Sequence, residues 1–209
     1  MKRFRVAIYV GLPIFLILAI SIMIQAGWIN GFDSYWQGLV RSIGGLRSFM
    51  VGVSFLASPK MNLIWMAILA VILWLKKMRP MATSIVITVL SADAVGFVVK
   101  HLVQRARPVG HMAADDGFSF PSGHTLGMGI LVIWLIMVFL PKVMENRTAR
   151  IWIDIILIIW LILVMVSRVY LLAHYPSDVC GSLSFALMWV GAVELFLHSM
   201  VKKLWNIDI

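Results

Sequence analysis

Residues 151–171 read IWIDIILIIWLILVMVSRVYL, and only Asp154 and Arg168 among them carry charge. As a helix this stretch rises about 32 Å, which matches a hydrocarbon core about 30 Å thick. Five further segments have the same character: 6–26, 59–75, 81–102, 123–140 and 179–200, of which 59–75 is the shortest. Over the 209 residues, 62% are hydrophobic and 13% charged, with a mean hydropathy of +0.97, which excludes an ordinary soluble domain. The apolar runs are continuous and rich in Leu, Ile, Val and Met. They lack the two-residue alternation of barrel strands, so helices are expected.

No internal repeat, low-complexity tract or linker interrupts the chain. The expected fold is therefore all-α, a polytopic six-helix bundle forming one domain over residues 1–209. The opening Met1-Lys2-Arg3-Phe4-Arg5 suits a signal peptide, but Ile24-Gln25-Ala26 lacks the small-x-small pattern of a cleavage site, so the first segment reads as a retained span. Cys180, the lone cysteine, excludes an intramolecular disulfide and reads as a small packing residue.

The net charge of +9 forms no single stripe, which argues against nucleic acid as a partner. Eleven of the eighteen cations, among them Lys2, Lys76, Arg79, Lys142, Arg150 and Lys202, fall on one side of a six-span arrangement. By the positive-inside rule both termini are expected in the cytoplasm, with the opposite helix ends facing outward from the plasma membrane. Between the first two spans, Phe32, Tyr35, Trp36, Leu39, Val40, Ile43 and Leu46 recur at helical spacing, with Asp33, Arg41 and Arg47 among them. An amphipathic helix at the outer interface is expected there, punctuated by Gly44-Gly45 and Ser58-Pro59.

Three polar strings lie at ends of apolar segments on the outward side. The first is Lys100-HLVQRA-Arg107-Pro108. If the third helix persists, Lys100 and Arg107 share a face two turns apart, and Pro108 ends the span near Arg107. Long cations at a span end also snorkel toward headgroups, so this string alone is ambiguous. The second is Pro121-Ser122-Gly123-His124, which precedes an apolar run. There Ser122 suits a helix cap, Gly123 permits close backbone approach, and the free N–H groups of a helix start attract phosphate. Taken alone, this tetrapeptide reads more readily as an ordinary cap that contains histidine.

The third string is Ser167-Arg168-VYLLA-His174-YPS-Asp178. Pro176 between His174 and Asp178 requires a helix to begin near it, with His174 just outside. Asp178 would then set the tautomer of His174 and leave the other nitrogen free as a nucleophile, while Arg168 offers a planar fork to phosphate oxygens. A structural hydrogen bond is the blander alternative.

The order and spacing of the three strings together, over residues 100–178, resemble the tripartite signature of the type 2 phosphatidic acid phosphatases, also called lipid phosphate phosphatases. The resemblance implies a six-helix membrane enzyme that needs no metal or other cofactor. It implies a phosphate clamp of Lys100, Arg107 and Arg168, with hydrogen bonds from Ser122 and Gly123. It further implies His174 as nucleophile, Asp178 as its orienting partner and His124 as the acid that protonates the leaving oxygen. The substrate would be a phosphorylated membrane lipid, with undecaprenyl pyrophosphate, phosphatidylglycerol phosphate and phosphatidic acid as candidates.

Two other classes use similar residues. A non-hydrolytic lipid-phosphate transporter or binding protein would share the cations but does not require His124, His174 and Asp178 together. A vanadium haloperoxidase would share the site, but six spans disfavour it. Among residues outside the signature, His101, Arg105, His111, Asp115 and Asp116 read as solvated loop side chains able to tune headgroup choice. Asp93, seven residues before Lys100, can brace the pocket or pack against another span, Asp154 and Glu194 carry no assigned role, and His198 reads as an interfacial side chain at the inner end.

Overall fold

The computed structural model describes residues 1–112 and 116–205, with side chains described through residue 200. Its elements are α1 (Lys2–Met23), α2 (Gly27–Arg41), α3 (Arg47–Leu56), α4 (Pro59–Leu75), α5 (Arg79–Val103), α6 (Gly123–Trp134), a π-helical turn (Leu135–Phe139), α7 (Leu140–Val143), α8 (Arg147–Tyr170) and α9 (Pro176–Trp205). Among the described residues no strand occurs. The π turn precedes Pro141, which has no N–H to offer the α ladder and whose ring crowds the carbonyl four residues back.

Among the described residues five spans meet the length and hydropathy needed to cross a bilayer: α1, α5, Gly123–Val143, α8 and Pro176–Met200. The expected span at 59–75 is α4, whose 17 residues fall short alone. Joined to α3 across a 47° bend at Ala57-Ser58, it makes a sixth, broken span. Ser58 caps α4 by accepting the Met61 N–H, and Pro59 starts it. The connection 27–58 is thus two helices rather than one, separated where Gly45 takes φ +78°. The first is amphipathic, with Ile29 and Asp33 as its buried residues.

The seam between α1 and α9 is the most extensive helix pairing in the molecule. Two glycines permit it: a Cβ on Gly11 would lie 2.6 Å from the Ser184 carbonyl oxygen, and one on Gly191 would lie 2.6 Å from that of Phe4. Small residues that let backbones meet are how helices pack where lipid removes the hydrophobic incentive. Deeper in the bundle, Trp134 Nε1 donates to Ser84 Oγ at 2.9 Å and to Glu194 Oε1 at 3.1 Å, and Ser84 donates to the same carboxylate oxygen. Glu194 therefore links α5, α6 and α9. The outer face of α8 exposes Ile151, Trp152, Ile155, Ile156, Ile159 and Ile162, an apolar surface suited to lipid.

The connections between spans return the chain antiparallel. The end of α5, the start of α6, the end of α8 and the start of α9 consequently meet at one end of the bundle.

Candidate active site

A cavity of about 570 Å³ opens where those four helix ends meet. Lys100, Arg107, Gly123, His124, Arg168 and His174 line it, with Ser58, Pro59, Lys60, Asp116 and Gly117 completing its wall. Six of the eight sequence-predicted residues thus share one cavity. Asp178 and Ser122 are fully buried behind it.

Each side chain has a local reason for its place. Lys100 stands on the last turn of α5. That helix stops at Val103, where Gln104 turns left-handed (φ 50°, ψ 35°), so Arg107 approaches from a loop and not along a continued helical face. The restriction imposed by Pro108 reaches only one residue back; the left-handed Gln104 acts earlier. Ser119 fixes this loop, donating its N–H to the Arg105 carbonyl at 2.8 Å and its hydroxyl to that of Ala106 at 3.2 Å.

Ser122 accepts the Thr125 N–H at 3.4 Å and so caps α6, while its own N–H donates to Ser182 Oγ at 2.7 Å. The capped start of α6 turns Gly123 and His124 toward the cavity. Arg168, in the last turn of α8, is buried and donates to Ser54 Oγ of α3.

After α8 the chain reverses through Leu172, a left-handed residue with φ +57°, and the N–H groups of Ala173 and His174 both donate to the Arg168 carbonyl. This ties His174 to the arginine beside it. α9 begins at Pro176 and leaves His174 outside.

The imidazole is the centre of the geometry. Arg107 Nη1 donates to His174 Nε2 at 3.2 Å and to the Ala173 carbonyl at 2.8 Å. Its Nε and Nη2 donate to the Asp116 carbonyl at 3.1 and 2.8 Å. A guanidinium cannot accept, so Nε2 carries the lone pair and the proton resides on Nδ1. Nδ1 faces Asp178 Oδ2 at 3.6 Å, longer than a hydrogen bond but close enough for the carboxylate to favour that tautomer. Burial pushes the His174 pKa down to about 4, with Arg168 and Arg107 adding to the shift and Asp178 opposing it. The Nε2 lone pair of this neutral imidazole meets Arg107 in a cavity that Lys100 and Arg168 also line, an arrangement chemically capable of nucleophilic attack.

Arg105 is a correction to the expectation of a solvated loop side chain. Its Nη1 donates to Asp178 Oδ1 at 2.6 Å and to Ser177 Oγ at 2.7 Å, and its Nη2 donates to Asp33 Oδ2 at 2.6 Å. Its guanidinium lies over the Tyr175 ring, 4.0 Å from the centroid. Burial opposes its charge, but Asp178 and Asp33 outweigh that and raise its pKa above the usual arginine value. Asp33 was readable as an acid four residues after Ile29, on the one buried stripe of an amphipathic helix. Ser54, Ser177 and Ser182 left no comparable signal.

Asp116 lines the cavity and holds Arg107 through its carbonyl, whereas Asp93, His101 and His111 are peripheral. Asp93 does not line the cavity. His101 donates to the Phe97 carbonyl at 2.9 Å and His111 to that of Pro108 at 2.8 Å. Asp115 lies outside the described residues. Among the described residues no cluster of three or more His, Cys, Asp or Glu side chains has metal-binding geometry.

The chain is similar to several known proteins. The chain is 29% identical to the undecaprenyl-diphosphatase of Sulfolobus acidocaldarius over 205 residues, covering 92% of this chain and 93% of that protein. It is 30% identical to a putative undecaprenyl-diphosphatase, YbjG, of Escherichia coli over 150 residues, 66% of this chain and 70% of that one. The crystal structure of a transmembrane PAP2 type phosphatidylglycerolphosphate phosphatase from Bacillus subtilis superposes with a TM-score of 0.80 at 23% identity. That match covers 94% of this chain and 99% of that one, and it establishes the shared fold. Residues 81–203, more than half of the chain and the part that carries all three strings, match the PAP2 superfamily. From fold, site and family match together, the chain is a membrane-embedded lipid phosphatase of the PAP2 superfamily.

Proposed function

We propose that the chain removes the terminal phosphate of a polyprenyl diphosphate, with undecaprenyl diphosphate the foremost substrate, by way of a phosphohistidine at His174. The observation that carries the mechanism is the His174 Nε2 lone pair, turned to a cavity walled by Lys100, Arg107 and Arg168 and backed by Asp178.

In this reading the three cations hold the oxygens of the terminal phosphoryl group, with the Gly123 N–H and the start of α6 adding to them. Ser122 supports that helix start as its cap. His174 Nε2 attacks phosphorus in line with the leaving oxygen; the new N–P bond forms as the P–O bond to the lipid phosphate breaks. The electron pair of that bond stays on the leaving oxygen, which takes its proton from His124. Asp178 steadies the ring as it becomes cationic. Water then attacks the phosphoryl group, giving its proton to His124, and orthophosphate leaves with His174 restored.

The substrate class is supported by the nearly full-length similarity to an undecaprenyl-diphosphatase. Lys60, an exposed fourth cation in the cavity wall, gives a second phosphate a partner. Phosphatidylglycerol phosphate and phosphatidic acid fit the same clamp. The distribution of Lys and Arg supports cytoplasmic termini and a site that opens on the extracytoplasmic side of the plasma membrane.

Phosphate release from purified protein in detergent, across these three lipids, tests the reading. Release that persists in EDTA and disappears in His174→Ala is expected. Tight lipid binding without release would overturn it.

A further inference from the structure

The two oxygens of Asp178 have separate partners. Oδ2 accepts the Tyr175 N–H at 2.9 Å and faces His174, whereas Oδ1 is taken by Arg105. The other arm of Arg105 holds Asp33, which belongs to the amphipathic helix α2. Asp33 Oδ1 also accepts the Ser177 N–H at 2.8 Å, and its Oδ2 accepts the Ser177 hydroxyl at 2.8 Å. A residue 144 positions away in sequence therefore satisfies a first-turn donor of the helix that carries Asp178.

Burying two carboxylates and a guanidinium costs desolvation that apolar packing would avoid, so the network gives no net stability by default. What it does supply is direction. A carboxylate free to turn about its Cβ–Cγ bond presents either oxygen to His174; one whose Oδ1 is fixed presents Oδ2. Neither Arg105 nor Asp33 lines the 570 Å³ cavity; both line a second cavity of about 550 Å³ with Tyr175.

We propose that Arg105 and Asp33 are positioning residues for the transfer step. Arg105 pins Oδ1 of Asp178 so that Oδ2 stays aimed at the Nδ1–H of His174. Asp33 divides the charge of Arg105, so that Asp178 keeps the negative charge that steadies the imidazole as it turns cationic. The proposal rests on His174 being the nucleophile.

The test is turnover of undecaprenyl diphosphate by the purified full chain in detergent. Because the substrate contacts stay intact, Arg105→Gln and Asp33→Asn should each lower kcat about 10- to 100-fold with KM held within about twofold. Arg105→Lys should recover part of the loss. In an Asp178→Asn background, Arg105→Gln should cost less than about threefold, because residues that act through one another are not additive.

An active unaltered chain whose Arg105→Gln variant keeps kcat, or loses the same factor in the Asp178→Asn background, overturns the clamp alone. If the unaltered chain releases no phosphate from any of the three lipids, the phosphatase mechanism fails and the clamp with it. Should Arg105→Gln not fold, as judged by its melting in detergent, Asp33→Asn keeps the side-chain shape and decides on the same criteria.

Discussion

Arg107 Nη1 lies 3.2 Å from His174 Nε2, so in the proposed mechanism the cation that binds phosphate also occupies the lone pair that attacks it. Substrate oxygens have to take that donor over before the nitrogen is free. The planar fork makes the exchange possible, because Nε and Nη2 stay anchored on the Asp116 carbonyl while Nη1 changes partner.

Arg107→Lys keeps the charge and loses the fork. An ammonium's three donors radiate from one nitrogen and do not span the Asp116 and Ala173 carbonyls and a phosphate as the fork does, so kcat should fall about 100-fold or more while the protein stays folded. Phosphate release at saturating lipid, with melting of the same preparation, checks this.

His174 binds a proton near pH 4 in the fold and near 6.5 when unfolded. A depressed histidine pKa means that the unfolded chain binds more protons between these values. Its contribution to stability is whole above 6.5 and is lost as pH falls toward 4. Histidine-labelled protein should show a neutral His174 ring, protonated on Nδ1, at pH 5.5. The melting temperature should decline from pH 6.5 to 4, and less steeply in His174→Gln.

Asp178→Asn retains shape but removes the charge that Arg105 grips and His174 faces. A loss of about 10²- to 10⁴-fold in kcat is expected, as when an orienting carboxylate loses its charge. Rapid-quench trapping of the phosphoenzyme should show its formation slowed.

Ser122→Ala deletes the cap of α6 behind Gly123 and His124. About 1 kcal/mol of stability should go with it, read by denaturation in mixed micelles. Activity should fall less than in any substitution of Lys100, Arg107 or Arg168.

Gly11→Leu forces a side chain where a Cβ already meets the Ser184 carbonyl. Overpacking of about 1–3 kcal/mol and an opened α1–α9 seam are expected, measured as a lower melting temperature.

Much of this was legible before any coordinates. Five spans follow from hydropathy alone while the sixth needs α3 joined to α4, and the three strings sit at segment ends that antiparallel helices must bring together. Helix persistence past Lys100 was not legible, because one left-handed residue, Gln104, ends α5 without glycine or proline to announce it. The loop 27–58 reads as one amphipathic helix because aromatic spacing continues across Gly44-Gly45, where the backbone turns. Arg105 reads as solvated because its partners, Asp33 and Asp178, are 72 and 73 residues away, a separation to which periodicity is blind. The acid on the buried stripe of α2 was the one available clue.

The notches at Gly11 and Gly191 bear on more than packing. Lys100, His124, Arg168 and Asp178 stand at helix ends, and a slip of one turn along a helix, about 5.4 Å, would carry Asp178 clear of both His174 and Arg105. Backbones meshed at two points along the α1–α9 contact resist such sliding, much as teeth hold a rack. Alignment of the site is therefore set by interlocking along the apolar length of the bundle.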